Sequence, residues 1–204
     1  MKTTALMLLV LLLAACSGGS GNAPRNESSR PDDVSLAHPP TLEGARAVLE
    51  EFLVKDANVL KLRSQLKPTA EDLAKIYQPG YLDKAIKAED KLWTGLAHNP
   101  DFKRNADQTK VVVFAATTEQ LRAWRPPVSE QFADPKPPAI KVQFEKVPLY
   151  VLDSLTFYRF KFATPNDASA AVFGALLCHV NGRWVLIWNP VYIIEFYDDL
   201  MKAK

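Results

Sequence analysis

One histidine and two tryptophans near the C-terminus are the residues whose types and spacing best suit a binding site. His179 and Trp184 flank the pair Asn181-Gly182, and Trp188 follows four residues later. Asn-Gly favours a two-residue β-turn of type I′, whose register places all three rings on one face of a hairpin. An imidazole beside two indoles predicts the wall of an apolar ligand pocket with one polar handle. A core histidine packed against core tryptophans is the alternative, and it is the more ordinary arrangement.

Other side chains that could perform catalysis or bind metal form no recognisable site. His38, His98 and His179 are the only histidines, and no Cys, Asp or Glu stands beside them at the spacing of metal ligands. The sequence contains no G-x-S-x-G elbow, phosphate-binding loop, dinucleotide fingerprint or H-E-x-x-H motif. We therefore predict no catalytic residue, no metal ion and no cofactor.

The acidic pairs and the second cysteine are predicted to be structural. Glu89-Asp90 and Asp198-Asp199 are neighbours in sequence, and neighbours do not face each other on a helix, so both pairs are expected to be surface charge. The hairpin register places Cys178 opposite Val185, on the other face from His179. Apolar surroundings raise the pKa of a thiol and make it inert, so we expect Cys178 to be part of the core.

The first 15 residues have the three parts of an export signal, namely a basic start, an apolar run and small residues at the cut. The apolar run, Ala5–Leu13, is too short for a transmembrane helix, which needs roughly 20 residues. Ala14-Ala15 then precedes Cys16. Residues 1–15 are therefore predicted to be a cleaved signal peptide. An ordinary signal followed by an incidental cysteine is the alternative.

Leu13-Ala14-Ala15-Cys16 resembles the lipobox of bacterial lipoproteins. The resemblance implies cleavage before Cys16, attachment of diacylglycerol to its thiol and acylation of its new amino group, with palmitate as the expected acyl chain. Two or more acyl chains hold a protein stably on a bilayer, so the mature chain is expected to be anchored without spanning. Ser17 lacks the aspartate that the family associates with inner-membrane retention. In a Gram-negative cell this implies the outer membrane, with the domain facing the periplasm.

The rest of the chain divides into a tether and one domain. Residues 16–40 contain the lipidated cysteine and a stretch rich in Ser, Gly, Pro and Asn, which predicts a disordered tether. Such a coil spans about 25–30 Å. Residues 41–204 are expected to form a single domain of ordinary size. The chain has 25 basic and 23 acidic residues and no basic run, so nucleic-acid binding is not expected.

The domain begins with helical periodicity and continues with strand-like alternation. Thr41 is predicted to cap a helix that reaches Leu60, and Thr69-Ala70-Glu71-Asp72 resembles a capping box for a helix through Tyr77. A third helix is predicted to carry Leu82 to Leu96 on its apolar stripe and to end before Asn99. Strands are predicted over residues 110–116, 140–145, 155–163, 170–180 and 183–190, with a short helix over 118–124 and a proline-rich loop over 125–138.

Helices followed by strands indicate the α+β class, with N-terminal helices packed on a curved, mostly antiparallel sheet. Both faces of the C-terminal hairpin are apolar, so we expect cover on two sides. The segment Tyr158, Phe160 and Phe162 is expected to line one face of its strand, with Arg159 and Lys161 on the other, half-exposed face. Residues 191–204 are compatible with either a strand or helical turns.

This order of elements, over residues 41–190, is similar to the cone-shaped α+β fold of NTF2-like proteins. The segments Thr156–Phe162 and His179–Val185 also resemble uncharacterised bacterial lipoproteins that end in a G-R-W-V strand. The resemblance implies either a ketosteroid-isomerase-type enzyme or a non-catalytic binding module. An isomerase-type site needs a pocket carboxylate paired with an acidic hydrogen-bond donor, and the sequence matches neither to a position.

The sequence therefore predicts an envelope lipoprotein whose domain binds a small apolar ligand or an envelope protein without catalysis. Two alternatives stay open. One is a pocket enzyme of the isomerase or dehydratase type that uses His179 as a base. The other is an inhibitor or immunity protein that acts on an envelope-targeting toxin or hydrolase, with residues 125–138 as the expected contact loop.

Overall fold

A computed structural model describes residues 37–54, 58–97, 107–123, 144–166 and 175–203. The predicted α+β class is confirmed in these ranges. In chain order the elements are α1 (Leu42–Glu50), a 3₁₀ helix (Glu51–Leu53), α2 (Val59–Leu66), α3 (Ala70–Ala74), α4 (Leu82–Ala97), β1 (Lys110–Thr117), α5 (Thr118–Ala123), a second 3₁₀ helix (Phe144–Leu149), β2 (Thr156–Ala163), β3 (Ala175–Val180), β4 (Arg183–Trp188), α6 (Pro190–Glu195) and α7 (Tyr197–Lys202).

The described strands form an antiparallel sheet in the order β1-β2-β3-β4. The turn between β3 and β4 has positive φ at both Asn181 (51°) and Gly182 (73°), as a type I′ turn requires. Because a two-residue turn sets the register, His179 lies opposite Trp184 as predicted. The predicted hairpin is confirmed where the structure describes it.

Each face of the sheet is covered by a separate apolar cluster, as the two apolar faces of the hairpin predict. On one face, here called the α1 face, helices α1 and α2 form a cluster with residues of all four strands. On the other, here called the α4 face, helices α3 to α7 and the second 3₁₀ helix pack against the alternate residues. The α1 face includes Val111, Val113, Tyr158, Phe160, Leu177 and Trp184, and the α4 face includes Ala116, Phe157, Leu176, Cys178, Val185 and Ile187.

Strand β2 alternates as predicted, but only part of its second face is half-exposed. Tyr158 and Phe160 are buried in the α1-face cluster. Lys161 is half-buried as expected, whereas Arg159 is fully buried, with its guanidinium 5.2 Å from the centre of the Phe144 ring. Cover from the second 3₁₀ helix therefore buries Arg159, although a charged residue predicts exposure to solvent.

The first predicted helix is two helices. Thr41 caps α1 as expected, because its side chain accepts a hydrogen bond from the Gly44 N–H. Helix α1 ends at Glu50, however, and Leu60 belongs to α2, whose own cap is Asn58. The sequence predicted one helix because its apolar residues keep the helical period up to Leu60, across the break between α1 and α2.

The capping box at Thr69 is confirmed. Thr69 Oγ1 accepts from the Asp72 N–H, and Asp72 Oδ2 accepts from the Thr69 N–H. The helix that it opens is shorter than predicted, since α3 ends at Ala74. Tyr77 instead forms an antiparallel bridge with Val151.

Two further segments differ from the predictions or resolve them. Phe144, expected at a strand, begins the second 3₁₀ helix. Residues 191–204, which the sequence left open, are helical where described, in α6 and α7. Helices α4 and α5 and strand β1 agree with their predictions to within a residue or two. The signal peptide, the tether up to residue 36 and the proline-rich loop over 125–138 lie outside the described residues.

Candidate functional site

The four residues before Thr41, the N-cap of α1, lie against the sheet, and we call this segment, residues 37–40, the strap. Trp184 Nε1 donates a hydrogen bond to the main-chain oxygen of His38 at 2.9 Å. Tyr158 Oη donates to the main-chain oxygen of Pro40 at 3.1 Å. Directly after the strap, the Thr41 N–H donates to the Pro39 oxygen at 2.8 Å and closes a tight turn into α1. The end of the predicted tether is thus part of the fold.

The two side chains that hold the strap are in contact with each other. The rings of Tyr158 and Trp184 meet edge to face, with centroids 5.1 Å apart and an angle of 69° between their planes. Both side chains are almost completely buried. A buried N–H or O–H that lacks a partner costs about 1–3 kcal/mol, so the strap oxygens satisfy donors that the α1 face would otherwise leave unpaired.

His179 lies on the outer side of the same indole. The His179 and Trp184 ring centroids are 5.1 Å apart, at an angle of 77°. Burial lowers the pKa of the half-buried His179 imidazole, which is therefore neutral at pH 7. These two rings are in contact, as the hairpin register predicts, and their role in ligand binding stays a prediction.

Trp188 is not part of that cluster. Its register puts it on the face of Trp184, but its half-buried side chain packs against the α4-face cluster. Strand β4 ends at Trp188, and Asn189 and Pro190 turn the chain directly into α6. The alternation of side chains between the two faces of a sheet holds within a strand. It does not fix the direction of the last residue, where the chain turns away. The predicted trio is therefore assembled only in part.

Helix α1 approaches the strap closely at Gly44, which is buried in the first turn of the helix. A Cβ atom on residue 44 would lie 1.9 Å from the Pro39 main-chain oxygen and 3.0 Å from its carbonyl carbon. No side chain fits at that distance, so the strap can occupy this position only because residue 44 is glycine.

The tip of the hairpin that carries His179 and Trp184 is clamped to the helical layer. Arg183 Nη1 donates to Asp72 Oδ2 at 2.6 Å, and Asn181 Nδ2 donates to Asp72 Oδ1 at 2.9 Å. Arg183 Nη2 also donates to the main-chain oxygens of Gln65 and Lys67. Burial acts to raise the pKa of Asp72, but these donors and those of Thr69 hold it below its usual value.

A second polar cluster, centred on Glu89, lies on the α4 face. Glu89 was predicted to be surface charge, and this prediction was wrong: the residue is only 2% exposed, whereas Asp90 is exposed. Glu89 Oε1 accepts a hydrogen bond from the Trp188 N–H at 2.9 Å. Burial raises the pKa of Glu89 from an ordinary 4.5 to about 8, against the smaller lowering effects of that N–H and of the neighbouring Trp93 indole.

Three neighbours of the Glu89 region also carry buried polar atoms. Within the described part of the chain, Glu89 Oε2, Tyr77 Oη, Trp93 Nε1 and Asn189 Nδ2 have no hydrogen-bond partner. Burial, followed by the nearby Glu89 and Cys178, raises the pKa of Tyr77 well above 10. The sequence signal that could have found this cluster is the position of Glu89 midway between Ala85 and Trp93, on the apolar stripe of α4.

Cys178 is fully buried on the α4 face, as predicted. Burial raises the pKa of its thiol to about 12, so the reactive thiolate is absent at neutral pH. Cys178 is therefore a packing residue.

Within the described ranges, no group of three or more His, Cys, Asp or Glu could hold a metal ion. None of the helices described here is long and apolar enough to cross a membrane. Cys16 and His98 lie outside the described residues. Comparison of the chain with protein-family models, with curated proteins and with solved structures finds no match.

Proposed function

We propose that this chain is a lipid-anchored protein of the bacterial envelope and that its folded domain is a non-catalytic binding module. The anchor is Cys16, the tether is the polar segment that follows it, and the binding wall is the cluster of Tyr158, His179 and Trp184. In a Gram-negative cell the module faces the periplasm from the outer membrane.

The observation that carries this proposal is the pair of aromatic donors on the α1 face. Trp184 and Tyr158 each direct a polar tip at a main-chain oxygen outside the sheet. Tyr and Trp are frequent in binding sites because they combine a large apolar surface with one hydrogen-bonding group. His179 adds a neutral, half-buried ring at the edge of the same wall. The wall thus has the composition of a recognition surface.

The lipobox-like sequence at Cys16 supports the anchor. The strap follows the predicted tether directly, so the wall lies where the tether enters the domain. A coil of this composition holds the domain within about 25–30 Å of the membrane. A tethered module of this kind needs only modest affinity, because the anchor raises the local concentration of any envelope partner.

A pocket enzyme is the second candidate, and Glu89 is the observation that favours it. A carboxyl group with a pKa of about 8 is suited to general acid–base chemistry near neutral pH. Glu89 is also sealed from solvent beneath β4 and α6, so a substrate could reach it only after those elements move. This candidate receives less support from the geometry than the binding module does.

The anchor is tested by metabolic labelling of the chain with an alkyne-tagged fatty acid in a bacterial host. We expect wild-type protein to be labelled and Cys16→Ser to be unlabelled, with Cys178 present in both proteins as an internal thiol control. Label that persists in Cys16→Ser would contradict the anchor.

The binding module is tested by cross-linking intact cells that express wild-type protein, His179→Ala or Glu89→Gln. We expect one abundant envelope partner with wild-type protein and Glu89→Gln, and its loss with His179→Ala, whose half-buried position lets the variant fold. Capture that depends on Glu89 and not on His179 would instead favour the second candidate.

A further inference from the structure

We infer that the wall of Tyr158, His179 and Trp184 is a binding site for an extended, proline-containing peptide, and that the strap occupies this site as a pseudo-ligand in the free protein. The inference rests on the proposed binding function and adds to it the chemical class of the ligand.

The wall recognises main-chain oxygens. Both hydrogen bonds from the wall go to carbonyl groups of the strap, at His38 and Pro40, two residues apart. Main-chain oxygens are present in every peptide, so any segment that follows the same path can accept the same two bonds. Selectivity must therefore come from backbone shape.

Proline supplies that shape. The strap reads Ala-His-Pro-Pro. The ring of a proline fixes its own φ near −65°, and it also restricts the residue before it to extended conformations. His38 and Pro39 both precede a proline, so both are extended before any contact forms. A segment that is already extended loses little conformational entropy on docking, which is why aromatic grooves commonly bind proline-rich peptides.

Proline also avoids a cost on the peptide side. Both hydrogen bonds between Trp184 or Tyr158 and the strap are donated by the wall. A peptide with ordinary residues at positions 39 and 40 would bring two further N–H groups to an apolar surface, where each would need a partner. Pro39 and Pro40 have no N–H, so a wall that donates both of these hydrogen bonds suits a proline pair.

The strap occupies the wall because of its contacts and also because it is covalently attached close to the wall. It is continuous with α1, so its effective concentration at the wall is on the order of millimolar. A partner peptide displaces it only when the partner makes further contacts or when the strap is loosened. Displacement would also return four residues to the tether, lengthening it by roughly 13 Å.

Gly44 provides a direct test, because Gly44→Ala places a methyl group where the Pro39 oxygen lies and should keep from the wall both the strap and any peptide that follows the same path. The matched control is Gly95→Ala in α4, where a Cβ would meet nothing within 4 Å. Both changes replace a helical glycine by alanine. The experiment uses the full processed chain in detergent and a fluorescent synthetic peptide with the sequence of residues 34–41.

The strap is loosened by Pro39→Ala with Pro40→Ala, here called the strap variant, which replaces two exposed residues and leaves the wall intact. We expect the peptide to bind the strap variant about tenfold or more tightly than wild-type protein, as measured by fluorescence anisotropy. Adding Gly44→Ala to the strap variant should abolish binding, whereas adding Gly95→Ala should not change it. Adding Trp184→Phe to the strap variant should weaken binding about tenfold, because the ring remains and the N–H is lost. A peptide with alanine in place of both prolines should fail to bind.

Two results would overturn the inference. One is an NMR signal of the Trp184 indole N–H that is unchanged between wild-type protein and the strap variant, which would mean that a strap without its prolines still occupies the wall. The other is a shifted indole signal without peptide binding. The anchor is judged separately. Fatty-acid label at Cys16 without peptide binding would support the anchored module and rule out this class of ligand. Peptide binding without label would support the ligand class and rule out the anchor.

Discussion

The indole N–H of Trp184 donates to the main-chain oxygen of His38, a residue 146 positions earlier in the chain, at 2.9 Å. The bond joins the last strand of the sheet to the first described segment of the domain. Trp184 belongs to a hairpin whose tip is bonded to the helical layer through Arg183 and Asp72, so the strap rests on a strand that is held at its start. A substitution that weakens the clamp between Arg183 and Asp72 should therefore also loosen the strap.

Tyr158→Phe should loosen the strap without creating a cavity. The phenyl ring keeps its contact with Trp184, but the Pro40 oxygen loses its donor. We expect the free energy of unfolding to fall by about 0.5–1.5 kcal/mol and protease cleavage within residues 37–40 to become faster. Urea denaturation and limited proteolysis measure these effects. Tyr150→Phe, which removes a surface hydrogen bond to Glu195, is the control and should leave the cleavage rate unchanged.

Asp72→Asn should weaken the clamp at the hairpin tip. The change removes the charge that Arg183 faces and an acceptor of the capping box, so we expect a loss of about 1–3 kcal/mol in the free energy of unfolding at pH 7. The control is Asp153→Asn, which breaks the exposed pair with Arg122 and should cost less than about 1 kcal/mol.

The effect of Asp72 has a defined pH dependence. Its pKa is lower in the folded protein than in the unfolded chain, so the stabilisation is present above the ordinary carboxyl pKa and is lost as the pH falls through the folded value. Wild-type protein and Asp72→Asn should therefore converge in stability below about pH 4. A difference that stays constant down to pH 2 would mean that the charge of Asp72 is not what stabilises the clamp.

Glu89→Gln should show the opposite pH dependence. The pKa of Glu89 is raised to about 8, so burying this residue is harmless below pH 4.5 and increasingly destabilising as the pH rises through 8. Glutamine stays neutral and can still accept from the Trp188 N–H. We expect the variant to match wild-type protein near pH 4.5 and to exceed it by roughly 2–4 kcal/mol at pH 8. Equal stability of the two proteins at pH 8 would show that Glu89 is charged or solvated when folded.

The neighbouring residue provides the control for this measurement. Asp90 is exposed and pairs with Lys67 at the surface, so Asp90→Asn should change the stability little and without the same pH trend. Denaturant midpoints at half-unit steps between pH 4.5 and 8.5 separate the two variants.

The hairpin could be predicted residue by residue because its information is local. Asn181 and Gly182 select one turn type, and that turn sets every pairing between β3 and β4. The break before α2 was also local, since Asn58 is a preferred N-cap residue, but the apolar period across it suggested a single helix.

The strap and the burial of Glu89 could not be predicted in the same way, because each depends on elements far away in sequence. Nothing in a polar segment indicates that Trp184 will bind its main-chain oxygens. A carboxylate on the apolar stripe of a helix indicates a candidate buried position. The burial of Glu89 itself depends on the packing of β4 and α6 on α4. Long-range contacts decide both features: sequence periodicity carries no information about the strap, and for Glu89 it marks only a position on an apolar stripe.

The two cysteines allow the fold and the anchor to be tested in one titration. Cys178 is buried with a thiol pKa of about 12, so it should not react with a maleimide until the chain unfolds. A lipidated Cys16 carries a thioether and cannot react at all. The processed chain should therefore yield no reactive thiol when native and one in denaturant. One thiol when native and two in denaturant would mean that Cys16 is free, while a Cys16→Ser variant with a reactive native thiol would mean that Cys178 is accessible.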